Sequence, residues 1–180
     1  MKKRLSLIPI LILVLLLPGC FVQSFQPFHT KSSIVELPAI YGDCRLVRKI
    51  EENVVKEYPE PWVFGSDEIT TFEDGISSPL EAVYFKVGNV TFVDLSPSET
   101  EGKPNAWLAI HTIPVHSVCK IEISVDTLNV IPLDGDWVEG MFDEKQLALS
   151  YIDIDSEEGH IVLTSSAEEL ELFLKKYGRD

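Results

Sequence analysis

Three cysteines and four histidines are the side chains of this 180-residue sequence whose chemistry could go beyond packing. Cys20 follows an apolar run, whereas Cys44 and Cys119 lie in the body of the chain. If Cys20 is modified separately, the other two form an even pair, which favours a disulfide in an oxidising compartment. We therefore predict a bridge between Cys44 and Cys119, with two buried free thiols as the alternative. Such a bridge would close a loop of about 75 residues and contribute about 4 kcal/mol.

Histidines and acidic residues are also metal ligands, but their spacing here does not favour a metal site. His111 and His116 are five residues apart, which places them on opposite faces of a strand. The acidic run 153–158 begins like a calcium loop, but Glu158 stands where glycine is required, and Thr164 stands where the final glutamate is required. We predict no metal and no cofactor.

Catalytic motifs are absent from the sequence. It contains no Gly-x-Ser-x-Gly, no His-Glu-x-x-His, no P-loop and no dinucleotide-binding fingerprint. Carboxylates are numerous enough to form chance acid/base pairs. We therefore predict a noncatalytic protein, with a hydrolase that lacks a recognisable motif as an alternative.

The start of the chain has the composition of an export signal. Lys2, Lys3 and Arg4 precede an apolar run from Leu5 to Leu17, and this order of charge and apolar residues is typical of secretory signals. The 13 residues of the run are fewer than the roughly 20 that a membrane-spanning helix needs. The pattern therefore predicts export and processing rather than a permanent transmembrane helix.

The end of this segment, Leu17-Pro18-Gly19-Cys20, resembles the lipobox of bacterial lipoprotein signals. That resemblance implies cleavage before Cys20, diacylation of its sulfur, as with palmitate, and acylation of the new amino group. Two or three acyl chains hold a protein firmly where one does not, because each buried methylene contributes about 0.8 kcal/mol. The same resemblance implies the bacterial cell envelope. In a host with two membranes it favours the periplasmic face of the outer membrane, because Phe21 is not aspartate.

The chain then divides into three parts. Residues 1–19 are the predicted signal peptide. Residues 20–38, which include His29, have no helical or strand period and contain Pro27 and Pro38, so we predict a lipidated N-terminus and a flexible tether. Residues 39–180 are predicted to form a single globular domain, since this length suits one core.

The net charge of the chain bears on which classes of partner it can bind. The formal net charge is −14, and removal of the three cations in the leader leaves 12 basic residues against 29 acidic ones. Binding to nucleic acid needs Lys and Arg to neutralise phosphates, so we predict no nucleic-acid partner. The membrane would be reached through the lipid anchor and not through charge.

Short apolar runs separated by turn residues predict a β-rich domain. In 81–87, Val83, Phe85 and Val87 share one face, and Gly88-Asn89 is a two-residue connection to 90–95, which predicts a hairpin. Further strands are predicted at 43–50, 68–72, 105–113, 118–125, 128–133 and 160–164.

Two helices are predicted near the end of the chain. The first lies within 134–149 and is capped by Asp134 or Asp136. The second begins at a capping box, Ser165-Ser166-Ala167-Glu168, and ends at Gly178. Its apolar stripe should pack on the sheet. The predicted class is α+β and β-rich, with a mostly antiparallel sheet or a small, partly open barrel and a C-terminal helix packed on it.

The C-terminal part of this domain carries a second resemblance. The run Ile161-Val162-Leu163-Thr164-Ser165-Ser166, followed by Glu169-Leu170 and Phe173-Leu174, is similar to the closing strand and helix of uncharacterised bacterial envelope lipoproteins. This resemblance covers 115–177 and implies an antiparallel body with no assigned activity. We therefore expect a noncatalytic, membrane-anchored envelope lipoprotein that acts as an interaction or structural module and contacts an envelope protein.

Aromatic residues leave one alternative open. Packing in the core is their ordinary role, but they could instead line a pocket for a small apolar ligand, as in a lipocalin-like carrier or sensor. The residues concerned are Trp62, Phe64, Phe85, Phe92, Trp107, Trp137 and Phe142.

Overall fold

The computed structural model describes residues 22–44, 47–51, 54–57, 61–73, 75–98, 114–124, 127–144, 146–155 and 160–178. The predicted signal peptide, Cys20, Trp107, His111 and the predicted strand 105–113 lie outside these ranges. The strands within them are β1 (Gln23–Ser24), β2 (Gly42–Cys44), β3 (Val47–Glu51), β4 (Val54–Glu57), β5 (Trp62–Phe64), β6 (Glu68–Glu73), β7 (Ile76–Val87), β8 (Val90–Pro97), β9 (His116–Ile123), β10 (Leu128–Pro132), β11 (Tyr151–Asp155) and β12 (His160–Leu163). The helices are a 3-10 helix (Pro38–Ile40), α1 (Gly135–Asp143) and α2 (Ala167–Tyr177).

Ten of the described strands form one open sheet in the order β11-β12-β1-β9-β8-β7-β6-β5-β2, with β10 also pairing with β9. The remaining two, β3 and β4, form a separate antiparallel hairpin. Within this sheet β1 runs parallel to β12, and the other described pairs are antiparallel. The predicted β-rich α+β class, with a mostly antiparallel open sheet and a C-terminal helix, is confirmed.

The hairpin of β7 and β8 forms the middle of this sheet. Val87 pairs with Val90, so Gly88 and Asn89 are the two connecting residues, as predicted. Gly88 has φ of 63°, a left-handed conformation that two-residue hairpin turns require and that glycine adopts without steric cost. The predicted strand 43–50 is instead divided between β2 and β3, which belong to different sheets.

The two faces of the sheet each bury an apolar cluster, because successive side chains of a strand point to opposite sides. The first cluster contains Val22, Phe28, Phe85, Val87, Phe92, Val118, Val138, Leu163, Leu170, Phe173 and Leu174. The second cluster contains Ile40, Trp62, Phe64, Ile69, Leu80, Ala82, Tyr84, Val93, Leu95, Cys119 and Ile121. Helices α1 and α2 contribute to the first cluster, whereas β5, β6 and the 3-10 helix contribute to the second.

Residues 22–38 belong to the folded domain, and the prediction that they form a flexible tether is wrong. Strand β1 lies between β9 and β12 and completes the sheet there. Val22 and Phe28 are buried in the first cluster, and Ile34 forms a bridge with Phe85. The physical reason is that β1 fills a gap between two strands, which satisfies main-chain groups that would otherwise lie unpaired.

Both helices were predicted. The cap of α1 is one of the two predicted residues, whereas the cap of α2 differs from the prediction by one residue. Asp134 caps α1 by accepting a hydrogen bond from the N–H of Trp137. In α2 the cap is Ser166 and its partner is Glu169, one residue later than the predicted pair. The physical reason is that the hydroxyl of Ser165 accepts a hydrogen bond from the N–H of Ser150, so it does not cap the helix.

Candidate functional site

Asp94 is a buried carboxylate in the middle of β8. It lies on the face of the sheet that carries the first cluster, two residues after Phe92. Its side chain is 1% exposed. A charge buried to this degree is unfavourable unless it is paired and hydrogen-bonded, so its partners determine what this site can do.

Three donors satisfy the two oxygens of Asp94. The N–H of Phe28 donates to Oδ2 at 2.8 Å, and Nδ1 of His29 lies 3.0 Å from the same oxygen. Nδ1 of His116 lies 2.9 Å from Oδ1. An ionised carboxylate only accepts hydrogen bonds, so we assign the proton of each imidazole to Nδ1. We call Asp94, His29 and His116 the bridged-histidine site.

Local structure holds each histidine in place. His116 begins β9, two residues before Val118, and Val118 is the register partner of Asp94 in β8. Its side chain therefore emerges on the same face as the carboxylate. His29 follows the fully buried Phe28, and its ring lies 5.6 Å from that of Phe85. These contacts join the N-terminal segment to two central strands.

The loop after His29 is tied to α2 by polar contacts. The N–H of Thr30 lies 3.1 Å from Oε2 of Glu171 and 3.2 Å from Oγ of Ser33. Ser33 in turn donates its own N–H to the carbonyl of Thr30 at 3.1 Å. The segment that carries His29 is therefore held by the sheet on one side and by the C-terminal helix on the other.

The chemistry of the site follows from its protonation pattern. With Nδ1–H directed to Asp94, each neutral imidazole has its lone pair on Nε2, and the carboxylate fixes the orientation of the ring. The side chains of His29 and His116 are 12% and 24% exposed, so the rings lie close to the surface. This pairing of an oriented imidazole with a buried carboxylate can position a base, and it can equally lock two segments together. Among the described residues, no group of three or more His, Cys, Asp or Glu side chains is placed to hold a metal ion.

The two cysteines of the predicted disulfide are free thiols in the structure. Cys119 lies in β9 and Cys44 in β2, with β8, β7, β6 and β5 between these strands in the sheet. Cys119 belongs to the second cluster, and Cys44 packs against it. Burial, followed by the charge of Asp94, raises the pKa of Cys119 to about 12. Burial, followed by Asp43, also raises the pKa of Cys44. Both thiols are therefore protonated and weakly reactive at neutral pH, and the bridge stays a prediction about the oxidised protein.

The acidic run and the aromatic residues singled out from the sequence are not brought together into one site by the described structure. Asp153 and Asp155 lie in β11, whereas Glu157 and Glu158 of the same acidic run lie outside the described ranges. The aromatic residues are dispersed between the two faces of the sheet. Trp62 and Phe64 belong to the second cluster, Phe85 and Phe92 to the first, and Trp137 and Phe142 to α1.

Sequence reasoning missed the bridged-histidine site. It placed His29 in a tether and compared His116 only with His111. The signal present in the sequence is Asp94, an acidic residue in the apolar strand 90–95 that alternation places on the same face as Val90 and Phe92. A buried acid in such a strand requires partners, although alternation alone does not identify them.

Comparisons with models of known protein families, with curated proteins and with solved structures found no match. In the described part of the chain, none of the helices has the length and apolar character needed to cross a membrane.

Proposed function

We propose that this protein is a noncatalytic envelope lipoprotein, anchored through acylated Cys20, that acts by contact with another envelope protein. The observation that carries the proposal is the sequence Leu17-Pro18-Gly19-Cys20 directly ahead of the fold. Every element described above lies after Cys20, so cleavage in front of Cys20 would keep them all.

The bridged-histidine site fits this role as a lock and not as a reaction centre. It joins the segment that follows Cys20 to β8 through His29 and the N–H of Phe28, and Asp94 also contacts His116 of β9. Strand β1 adds main-chain hydrogen bonds to β9 and β12. An anchor attached to such a segment would hold the domain in a fixed position, which suits a module that presents a surface to a partner.

Strand β11 supplies the surface that we assign to this contact. It ends the described sheet on one side, and edge strands present main-chain groups to which an extended segment of another protein can pair. Tyr151 and Ile152 are exposed there, one on each face of the strand. The register with β12 shifts between Asp153 and Asp155. The regular part of this edge strand is therefore short, and it exposes an apolar side chain on each face.

A photoreactive residue placed at position 152 tests the proposed contact in host cells. We expect Ile152 replaced in this way to give one discrete protein adduct on illumination. Ile123 is the matched control, because it is also an exposed isoleucine (52% against 44%) but lies at the end of β9. Equal labelling from both positions, or no adduct from position 152, would contradict the assignment of the β11 edge.

A further inference from the structure

The covalent distance between Cys20 and the folded domain is short. Consecutive Cα atoms are 3.8 Å apart, so the Cα atoms of Cys20 and Val22 are separated by at most about 7.6 Å. Val22 is buried in the first cluster, and its N–H lies 3.4 Å from the carbonyl oxygen of Leu133. A lipid on Cys20 would therefore bring the surroundings of Leu133 to the bilayer.

A continuous chain of contacts leads from Val22 to an exposed tryptophan. Leu133 immediately precedes Asp134, which caps α1 by accepting the N–H of Trp137 at 3.2 Å. The ring of Trp137 lies 6.3 Å from that of Phe173 and 6.0 Å from that of Tyr177 in α2. Trp137 is nonetheless 39% exposed, and Ile131 in β10 is 41% exposed. We call Ile131, Leu133 and Trp137 the α1 corner.

We propose that the α1 corner rests directly on the lipid bilayer, with the indole of Trp137 in the headgroup region. This inference rests on the proposed lipidation of Cys20. Tryptophan is suited to that depth because its ring is apolar and its N–H is polar, and Ile131 is a second exposed apolar residue, two positions before Leu133. The connection from the acyl chains to Val22 is too short to hold the α1 corner away from the membrane. We call this direct contact of the corner with the bilayer the flush position.

The charged residues near the α1 corner indicate which class of lipid surface it contacts. Asp134 and Asp136 are exposed beside Trp137, and α2 carries Lys175 and Lys176 in its last turn. These two acidic and two basic residues balance, so they give no net attraction to anionic lipid, and the acyl chains and the tryptophan provide the contact. The occupant that we assign is therefore a zwitterionic bilayer surface.

Fluorescence quenching by brominated lipids tests this proposal on the full mature protein. The protein is purified from its host, its acylation is checked by intact mass, and it is reconstituted into phosphatidylcholine vesicles with or without bromine on the acyl chains. The difference between wild type and Trp137→Phe isolates the emission of Trp137. We expect brominated lipid to remove most of that emission, because the indole would lie within contact range of the bilayer.

A linker variant is the matched control. About 20 Gly/Ser residues inserted between Phe21 and Val22 have a root-mean-square length of about 25 Å, and they keep both Cys20 and the fold. We expect this variant to recover the emission of Trp137. Unquenched emission from acylated wild type would overturn the flush position while leaving the anchor intact, and so would equal quenching of wild type and linker variant. Absence of acyl chains on Cys20 in the intact mass would instead overturn the proposed function, and this inference with it.

Discussion

Phe28→Ala is expected to lower the free energy of unfolding by about 3–5 kcal/mol, the cost of removing a fully buried phenylalanine. Phe28 lies in the N-terminal segment and is buried in the first cluster together with Phe85 and Phe92 of the central strands. Truncation would leave a cavity at the place where that segment is held. Urea denaturation of the purified protein measures the change.

Phe25 is the matched control, three residues earlier in the same segment. It is exposed, and its main-chain N–H bond to Leu163 does not depend on its side chain. Phe25→Ala should change the free energy of unfolding by no more than about 0.5 kcal/mol, as is usual at the surface. Similar small effects at both positions would contradict the finding that residues 22–38 belong to the domain.

Asp94→Ala is expected to destabilise the protein by a similar amount, about 3–5 kcal/mol, because each unsatisfied buried donor costs about 1–3 kcal/mol. The substitution leaves the N–H of Phe28 and the Nδ1–H groups of His29 and His116 without their acceptor. The same denaturation measurement applies.

Asp94→Asn separates the hydrogen bonds from the charge. Its amide oxygen can accept from Phe28 and His29, while its NH₂ group faces His116. Nδ1 of His116 must then accept, so its proton moves to Nε2. We expect a smaller loss of stability than for alanine, together with a tautomer change visible in the imidazole ¹⁵N chemical shifts of His116 alone. Equal effects of the two variants, or unchanged shifts, would contradict the proposed hydrogen-bonding pattern.

The parts of the fold that were predicted correctly are those determined by residues close together in the sequence. The hairpin of β7 and β8 combines alternating apolar residues with Gly88-Asn89, and α2 combines an apolar stripe with a cap at each end. Both are decided by neighbours in sequence, where spacing and side-chain chemistry act directly. The antiparallel character of the sheet followed from the short strands and their turns.

Long-range contacts explain what the sequence did not predict. Strand β1 has only two residues, and it is held by β9 and β12, which are distant in sequence. Asp94 lies 65 residues from His29 and 22 from His116, and no periodicity connects such positions. The choice of Ser166 over Ser165 as the cap of α2 also depended on a remote group, the N–H of Ser150.

The intact mass of the protein purified from its host tests the central claim, acylation at Cys20, most directly. We predict a chain that begins at Cys20 and carries the added mass of two or three acyl chains. A Cys20→Ser variant should carry none, whether it is released from the membrane or stranded there with its leader uncleaved. A wild-type chain with an unmodified Cys20, or one that still begins at Met1, would contradict the account.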